Sequence, residues 1–506
     1  MTKVLVDAQA RTVREQGVPA LADRLRRGAQ KGGQSEDNDG GHRRPGTVGR
    51  LRAPLPLLRY RVASGRGATE QPNATGDGDA ALDTRFWVAL VLTGAAAGLF
   101  GAAMMSLLYG VQHLVYGYNS GPFEQAVEKA SDARRIIALA GAGLLGGTAW
   151  ALLRRFTTGE RSEVDDAIWT GRARLSFRRC LGTSVISEIV IAAGASLGRE
   201  QAPKLMGAAS GSALSSWLRL TNAQRRLIIA CGAGSGLAAV YNVPLGGALF
   251  TIEVLLGSTV LPAVLPAVAC SFVATLTAWV YLPMHTTYVD IPNYHFSATI
   301  MVWACLAGPI MGLLAVGYIR LIGWVSFNRA RGWSTVPSMV VAFSVLGLIG
   351  FKYPQLFGNG KDVAHDVLVG EGTLWLLFAL AALKPLVTAI CLRSGAAGGL
   401  FTPTLSFGAL LGGFLGLAWS HLWGGSPVGA FAMVGASAMI GAAMQAPLAG
   451  MALVLELTHS GFAIMVPMMA ATATATAVAR YVDGYSIYSV RLPAESGGSP
   501  AAALQG

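Results

Sequence analysis

Asn242-Val243-Pro244-Leu245-Gly246-Gly247, followed by Glu253, returns 203 residues later as Gln445-Ala446-Pro447-Leu448-Ala449-Gly450, followed by Glu456, and upstream Gly232-Ala233 returns as Gly435-Ala436. Small residues match by chance in apolar sequence, but Pro, Leu, Gly and Glu held in one register mark a duplication. Each copy is preceded by a second glycine-rich break, Gly194-Ala195-Ser196-Leu197-Gly198-Arg199-Glu200 in the first half and Gly395-Ala396-Ala397-Gly398-Gly399-Leu400-Phe401-Thr402-Pro403 in the second. Within a bilayer, irregular backbone survives only where it lines a cavity enclosed by protein. A duplicated chain with paired breaks is therefore laid out as a transporter whose binding site lies between the repeats near the midplane.

The surroundings of the repeat agree with that layout. With 53% hydrophobic and only 13% charged residues over 506 positions, and a mean hydropathy of +0.48, the chain is too apolar for soluble domains. From Phe86 to residue 482 apolar runs follow one another almost continuously. Several are shorter and others longer than the ~20 residues of a regular spanning helix, so tilted and broken helices are expected. The expected fold is an all-α integral membrane protein. Residues 1–84 read as a disordered, weakly basic tail, 85–492 as the transmembrane domain with a first repeat over about 85–281 and a second over about 299–492, and 493–506 as a short C-terminal tail. The segment from Arg154 to Arg179 holds seven arginines and reads as cytoplasmic by the positive-inside rule. Two spans separate it from the N-terminal tail, which then falls on the same side, in a multi-pass protein of the plasma (inner) membrane.

The excluded classes follow from residue types. The formal charge of +12 is spread between apolar segments without a basic patch interleaved with aromatics, so nucleic acid is not an expected partner. Cys180, Cys231, Cys270, Cys305 and Cys391 are widely spaced, with no Cys-x-x-Cys pair, and read as inert core residues. The histidines offer no His-Glu-x-x-His, and only Asp165-Asp166 resembles an acidic metal motif, so neither an enzyme nor a metal or cofactor is expected. What remains is the chemistry of the breaks themselves. A glycine-rich break that opens a helix leaves N–H groups unpaired and carries about half a positive charge from the helix dipole, which attracts anions. Two such ends converging hold a small anion without the full charge that would bind it too tightly for passage.

Gly198-Arg199-Glu200, Gly399-Leu400-Phe401-Thr402-Pro403 and Tyr488 resemble three signatures of the CLC family of chloride channels and chloride/proton antiporters, in the family's order and at about its spacing. The resemblance implies the CLC fold of two inverted repeats of tilted and broken helices, assembled as a homodimer in the lipid bilayer with one pathway in each subunit. It implies that Glu200 is the gate, its carboxylate occupying an anion site until protonated or displaced. Leu400 and Phe401 are implied as backbone N–H donors to chloride, Tyr488 as a hydroxyl donor and Ser162 as the candidate serine of the site. Gly198, Arg199, Gln201 and Gly399 complete the helix N-terminal anion site.

Departures from the pattern also carry meaning. The family's Gly-Ser-Gly-x-Pro element is missing, its place being taken by Glu160-Arg161-Ser162-Glu163-Val164-Asp165, and Pro203 comes one position later than the usual Gly-Arg-Glu-Gly-Pro places it. Where the antiporter pattern has a second, proton-passing glutamate after Glu253, this chain has Val254. Valine neither donates nor accepts a proton. The expectation on that ground leans to passive chloride conduction with a glutamate gate; chloride/proton exchange is the alternative, and a secondary transporter of another small anion is a more distant one. Fluoride-selective relatives generally lack the pore tyrosine, so Tyr488 favours chloride.

Overall fold

The computed structural model describes residues 82–157, 164–169 and 174–491. Residues 1–81 of the basic tail, Ser162 and the C-terminal segment 493–506 lie outside them. The first half runs through α1 (Thr84–Tyr116), α2 (Phe123–Lys129), α3 (Asp132–Phe156), α4 (Val164–Trp169), α5 (Phe177–Ala192), α6 (Gln201–Trp217), α7 (Asn222–Tyr241), α8 (Pro244–Leu249, continued as a π-helix over Phe250–Leu256) and α9 (Leu261–Ala278). The second half runs through α10 (Ala298–Phe327), α11 (Thr335–Ile349), α12 (Lys361–Val369), α13 (Leu374–Arg393), α14 (Phe401–Ser420), α15 (Val428–Met444), α16 (Pro447–Thr458) and α17 (Met465–Val482). Among the described residues there is no β-sheet. Eight helical segments are long and apolar enough to cross a membrane, while α15, α16 and the α8 segment are apolar but shorter, as expected of broken spans.

Local sequence explains the element ends, and the repeat reappears in them. Pro244 and Pro447 open α8 and α16 at the first helical turn, where the missing N–H costs nothing. Just before them, Asn242 and Gln445 close α7 and α15 in the left-handed region, each at φ +57°. Residues other than glycine seldom adopt that conformation, so its recurrence at matched positions is structural evidence for the duplication. Elsewhere Asp83, Ser131, Ser176 and Thr373 cap helix starts through their side chains, and Thr221 with Gln224 forms a capping box at α7.

Packing follows the same symmetry. Within the halves α6 packs on α7 as α14 packs on α15, and α1 on α9 as α10 on α17; between the halves α3 meets α11 and α8 meets α16. The α6–α7 crossing brings Gly207 against Gly232 and the α14–α15 crossing brings Gly408 against Gly435, so closely that a Cβ on Gly207 would overlap the carbonyl of Gly232. This close approach accounts for glycine in the middle of apolar helices. Large apolar side chains such as Leu265, Phe272 and Leu276 on α9 and Leu306, Ile310 and Leu313 on α10 point outward, the arrangement of a lipid-facing surface. Four cysteines are buried, but Cys305 lies on the exposed side of α10, which corrects its reading as a core residue.

Helix α3 begins with Asp132, Arg134 and Arg135 and ends with Arg154 and Arg155. At the arginine end, Arg154 Nη2 donates to Gly395 O at 2.9 Å and Arg179 Nη1 to Thr157 O at 2.7 Å. At the other, Glu124 N donates to Asp362 Oδ2 at 3.0 Å and the side chain of Gln355 to Glu128 at 3.3 Å. Burial, with the carboxylates of Asp366 and Asp362 beside it, pushes the Glu124 carboxyl up to about 9. The end reached by Arg154, Arg155 and Arg179 is thus basic, while the other carries acids and bases together.

Candidate functional site

After α5 the chain turns through Gly194 at φ +116°, and after α13 through Gly395 at φ +96°, conformations open to glycine without strain. The two segments then pair antiparallel. Gly198 N donates to Gly399 O at 2.8 Å, and Gly399 N donates to Gly198 O at 2.7 Å. Helices α6 and α14 start just beyond this bridge, at Gln201 and Phe401, so one N-terminus from each half meets the other inside the protein. Both ends bring unpaired N–H groups and the positive pole of a helix dipole.

Glu200 stands at the N-cap of α6 and is only 2% exposed. Its Oε1 accepts from Phe401 N at 2.7 Å. Its Oε2 lies within bonding distance of two hydroxyls, Thr402 Oγ1 at 3.0 Å and Tyr241 at 3.2 Å, which are themselves 2.6 Å apart. Two hydroxyl protons serve these three contacts, so the Tyr241–Thr402 pair works as one adjustable donor. A Cβ on Gly198 or on Gly399 would overlap this carboxyl group, which is the physical reason both positions are glycine. The arrangement is a set of donors around a negative group. It can hold a small anion, and here it holds the protein's own carboxylate.

The other expected residues fall around this centre. Leu400 is the buried N-cap of α14, directly before Phe401. Arg199 does not pair with Glu200; its Nη1 donates to Tyr109 OH at 3.0 Å and its guanidinium lies 5.1 Å from the Tyr241 ring centroid. A cavity at the basic end, lined by Arg154, Arg179, Arg329 and Arg491, reaches Gln201, Gly398 and Tyr488. Tyr488 is 3% exposed, its ring edge-on to Phe250 at 5.9 Å and 4.6 Å from Lys204 Nζ. Tyr241 and Thr402 were missed by the sequence reading. Thr402 stood inside the quoted motif as an unspecified position, whereas Tyr241 has Met444 as its repeat partner and no signal drew attention to it.

Glu253 and Glu456 explain the repeated motif. Glu253 accepts from Leu448 N at 3.2 Å and Ala449 N at 2.6 Å, at the start of α16. Glu456 accepts from Leu245 N at 3.0 Å and from Gly246 N, at the start of α8. Each repeat therefore caps a helix of the other. With both oxygens of Glu253 engaged and the adjacent Val254 buried at 3% exposure, this pair of positions has a structural use.

The family model for voltage gated chloride channels matches residues 142–480, two thirds of the chain, and the chain belongs to that family. Among curated proteins it is 30% identical over 412 residues to a ClcB-like chloride channel protein of Ralstonia nicotianae, covering 79% of this chain and 94% of that one. It is 27% identical over 407 residues to the voltage-gated ClC-type chloride channel ClcB of Salmonella typhi, covering 78% and 96%. Among solved structures, a slow cyanobacterial Cl⁻/H⁺ antiporter superposes with a TM-score of 0.69 at 21% identity, covering 81% of this chain and 97% of that one. A CLC-type fluoride/proton antiporter superposes with a TM-score of 0.65 at 18% identity, covering 81% and 98%. The fold is accordingly the CLC fold of two inverted repeats, in a multi-pass membrane protein. The activity class is CLC-type chloride transport.

Proposed function

We propose that the chain exchanges chloride for protons, with Glu200 as the gate shared by both ions. The observation that carries this is the seat of the Glu200 carboxylate on Phe401 N and the hydroxyls of Thr402 and Tyr241. A backbone N–H and two hydroxyls turned as donors suit an anion, whereas sodium or potassium would need a ring of acceptor oxygens. A carboxylate and chloride compete for such donors, and a protonated carboxyl is the weaker acceptor, so chloride gains access when Glu200 takes up a proton. The event that frees the site also carries a proton into the membrane. Exchange is therefore preferred to the passive conduction first expected, and the solved antiporters with this fold support that preference.

In this reading Leu400 and Phe401 give N–H groups to chloride, Tyr488 its hydroxyl, and Gly198, Arg199, Gln201 and Gly399 shape the helix-start site. The arginine-lined cavity is the cytoplasmic mouth by the positive-inside rule, in an inner-membrane homodimer with a cytoplasmic N-terminus. Passive conduction remains a second reading because Val254 cannot relay a proton. Reversal potentials of the reconstituted protein separate the two. Exchange predicts a shift when pH alone is changed on one side; a potential that follows chloride alone supports passive conduction.

The hold on the gate gives a further expectation. Tyr241→Phe removes one hydroxyl from the carboxylate's donors, a loss of about 1.5 kcal/mol for a bond to a charged acceptor, or roughly tenfold in the ratio of released to seated gate. Chloride flux at neutral pH should rise several-fold in liposomes. Unchanged flux would mean that Tyr241 does not restrain the gate.

A further inference from the structure

Glu188 is the fully buried acid that the transport site does not use. It lies on α5 at 0% exposure, and neither carboxyl oxygen has a hydrogen-bond partner among the described residues. The cost of leaving a carboxylate unpaired in an apolar interior is several kcal/mol, and within a membrane such a residue is rarely retained for packing alone. Its surroundings point to a role. The charged groups acting on it are Arg199 and Glu200, so it lies within electrostatic reach of the gate. One turn earlier Ser184 Oγ donates to Ala202 O at 3.3 Å, placing this face of α5 against the start of α6. The adjacent Ser187 Oγ donates to Ala397 O at 2.7 Å, and Ala397 lines the arginine-rich cavity.

We propose that Glu188 is the proton-relay residue that exchanges a proton with Glu200, supplying the acid that Val254 does not. This inference rests on the exchange reading above. The step balances as a proton transfer: the O–H bond of the Glu188 carboxyl breaks, an O–H bond forms on the Glu200 carboxylate, and Glu188 regains its proton from water of the cytoplasmic cavity. During the transfer the negative charge passes to Glu188, where Arg199 offsets it. Arg199 is suited to that task because its Nε is also without a hydrogen-bond partner and it forms no ion pair with Glu200. The Arg199 guanidinium thus remains available to the charge that arrives on Glu188. Tyr241 on α7 and Tyr109 on α1 are directed to Arg199 or Glu200, and Tyr288, Lys361 on α12 and Tyr318 on α10 lie within electrostatic reach of one or both of these groups.

The test uses the full chain in proteoliposomes, with chloride efflux and proton uptake recorded together. Glu188→Gln keeps the size of the side chain and removes the acid. The proposal expects chloride flux within about threefold of wild type and proton movement per chloride lowered at least tenfold. A wild-type proton-to-chloride ratio in this variant overturns the proposal alone. If the wild type itself moves no protons under a chloride gradient, the exchange reading fails and the proposal falls with it. Glu188→Asp is the second variant, retaining the acid with a shorter reach. Proton movement slowed several-fold with chloride flux retained supports the relay, and an unchanged rate and ratio contradict it.

Discussion

Glu200→Gln should carry chloride at a rate that no longer depends on pH and should move no protons with it. The amide nearly matches the carboxyl in size, so the helix starts around it should persist, but it has no charge to hold against Phe401 N and the Thr402 and Tyr241 hydroxyls. Hydrogen bonds to a charged acceptor are worth about 1.5–3 kcal/mol each, against about 1 kcal/mol for neutral ones, so the competitor of chloride is weakened by at least tenfold. Wild-type flux should instead rise as pH falls through the range in which the carboxylate takes up its proton. The comparison is made with purified protein in liposomes over a series of external pH values. If the variant retained the wild-type pH profile, the gate would lie elsewhere.

The second large effect is on stability. Glu253→Ala leaves the N–H groups of Leu448 and Ala449 without their acceptor, and Glu456→Ala does the same to Leu245 and Gly246. Two bonds from helix-start N–H groups to a carboxylate make each cap worth about 2–3 kcal/mol, and each Ala variant should show a clear drop in thermal stability in detergent. Gln should recover about half of that loss, because it keeps one acceptor oxygen. Glu253→Gln should also leave the proton-to-chloride ratio unchanged. Loss of proton movement in that variant, with stability intact, would make Glu253 a relay rather than a cap.

These two expectations differ in how far they were legible before the structure. The duplication was readable because proline, leucine, glycine and acid recur in register, and that register survives in the matched left-handed residues Asn242 and Gln445, whereas Glu200 was picked out by the resemblance of Gly198-Arg199-Glu200 to a family signature. The correspondence of Glu253 with Glu456 was readable too. That each caps the opposite repeat was not, since a register says which positions correspond and leaves open which elements meet. Arg199 illustrates the same limit: adjacent in sequence to Glu200, it turns to Tyr109 because a residue before a helix start and the next one point in different directions. Tyr241 and Thr402 were hidden for another reason. Hydroxyl residues at helix ends are common, and only the closing of the two breaks onto each other makes donors of them. Glu188 was one polar residue within an apolar run, and its isolation is visible only once every neighbour is placed.

The central claim is that chloride and the Glu200 carboxylate take the same donors in turn. Bromide, which scatters anomalously and substitutes for chloride, tests it in crystals of Glu200→Gln and of the wild type. The account predicts a bromide peak in hydrogen-bond contact with Phe401 N in the variant, absent from the wild type while its carboxylate is seated there. Bromide at that position in both proteins, with the wild-type carboxylate still on Phe401 N, would contradict it.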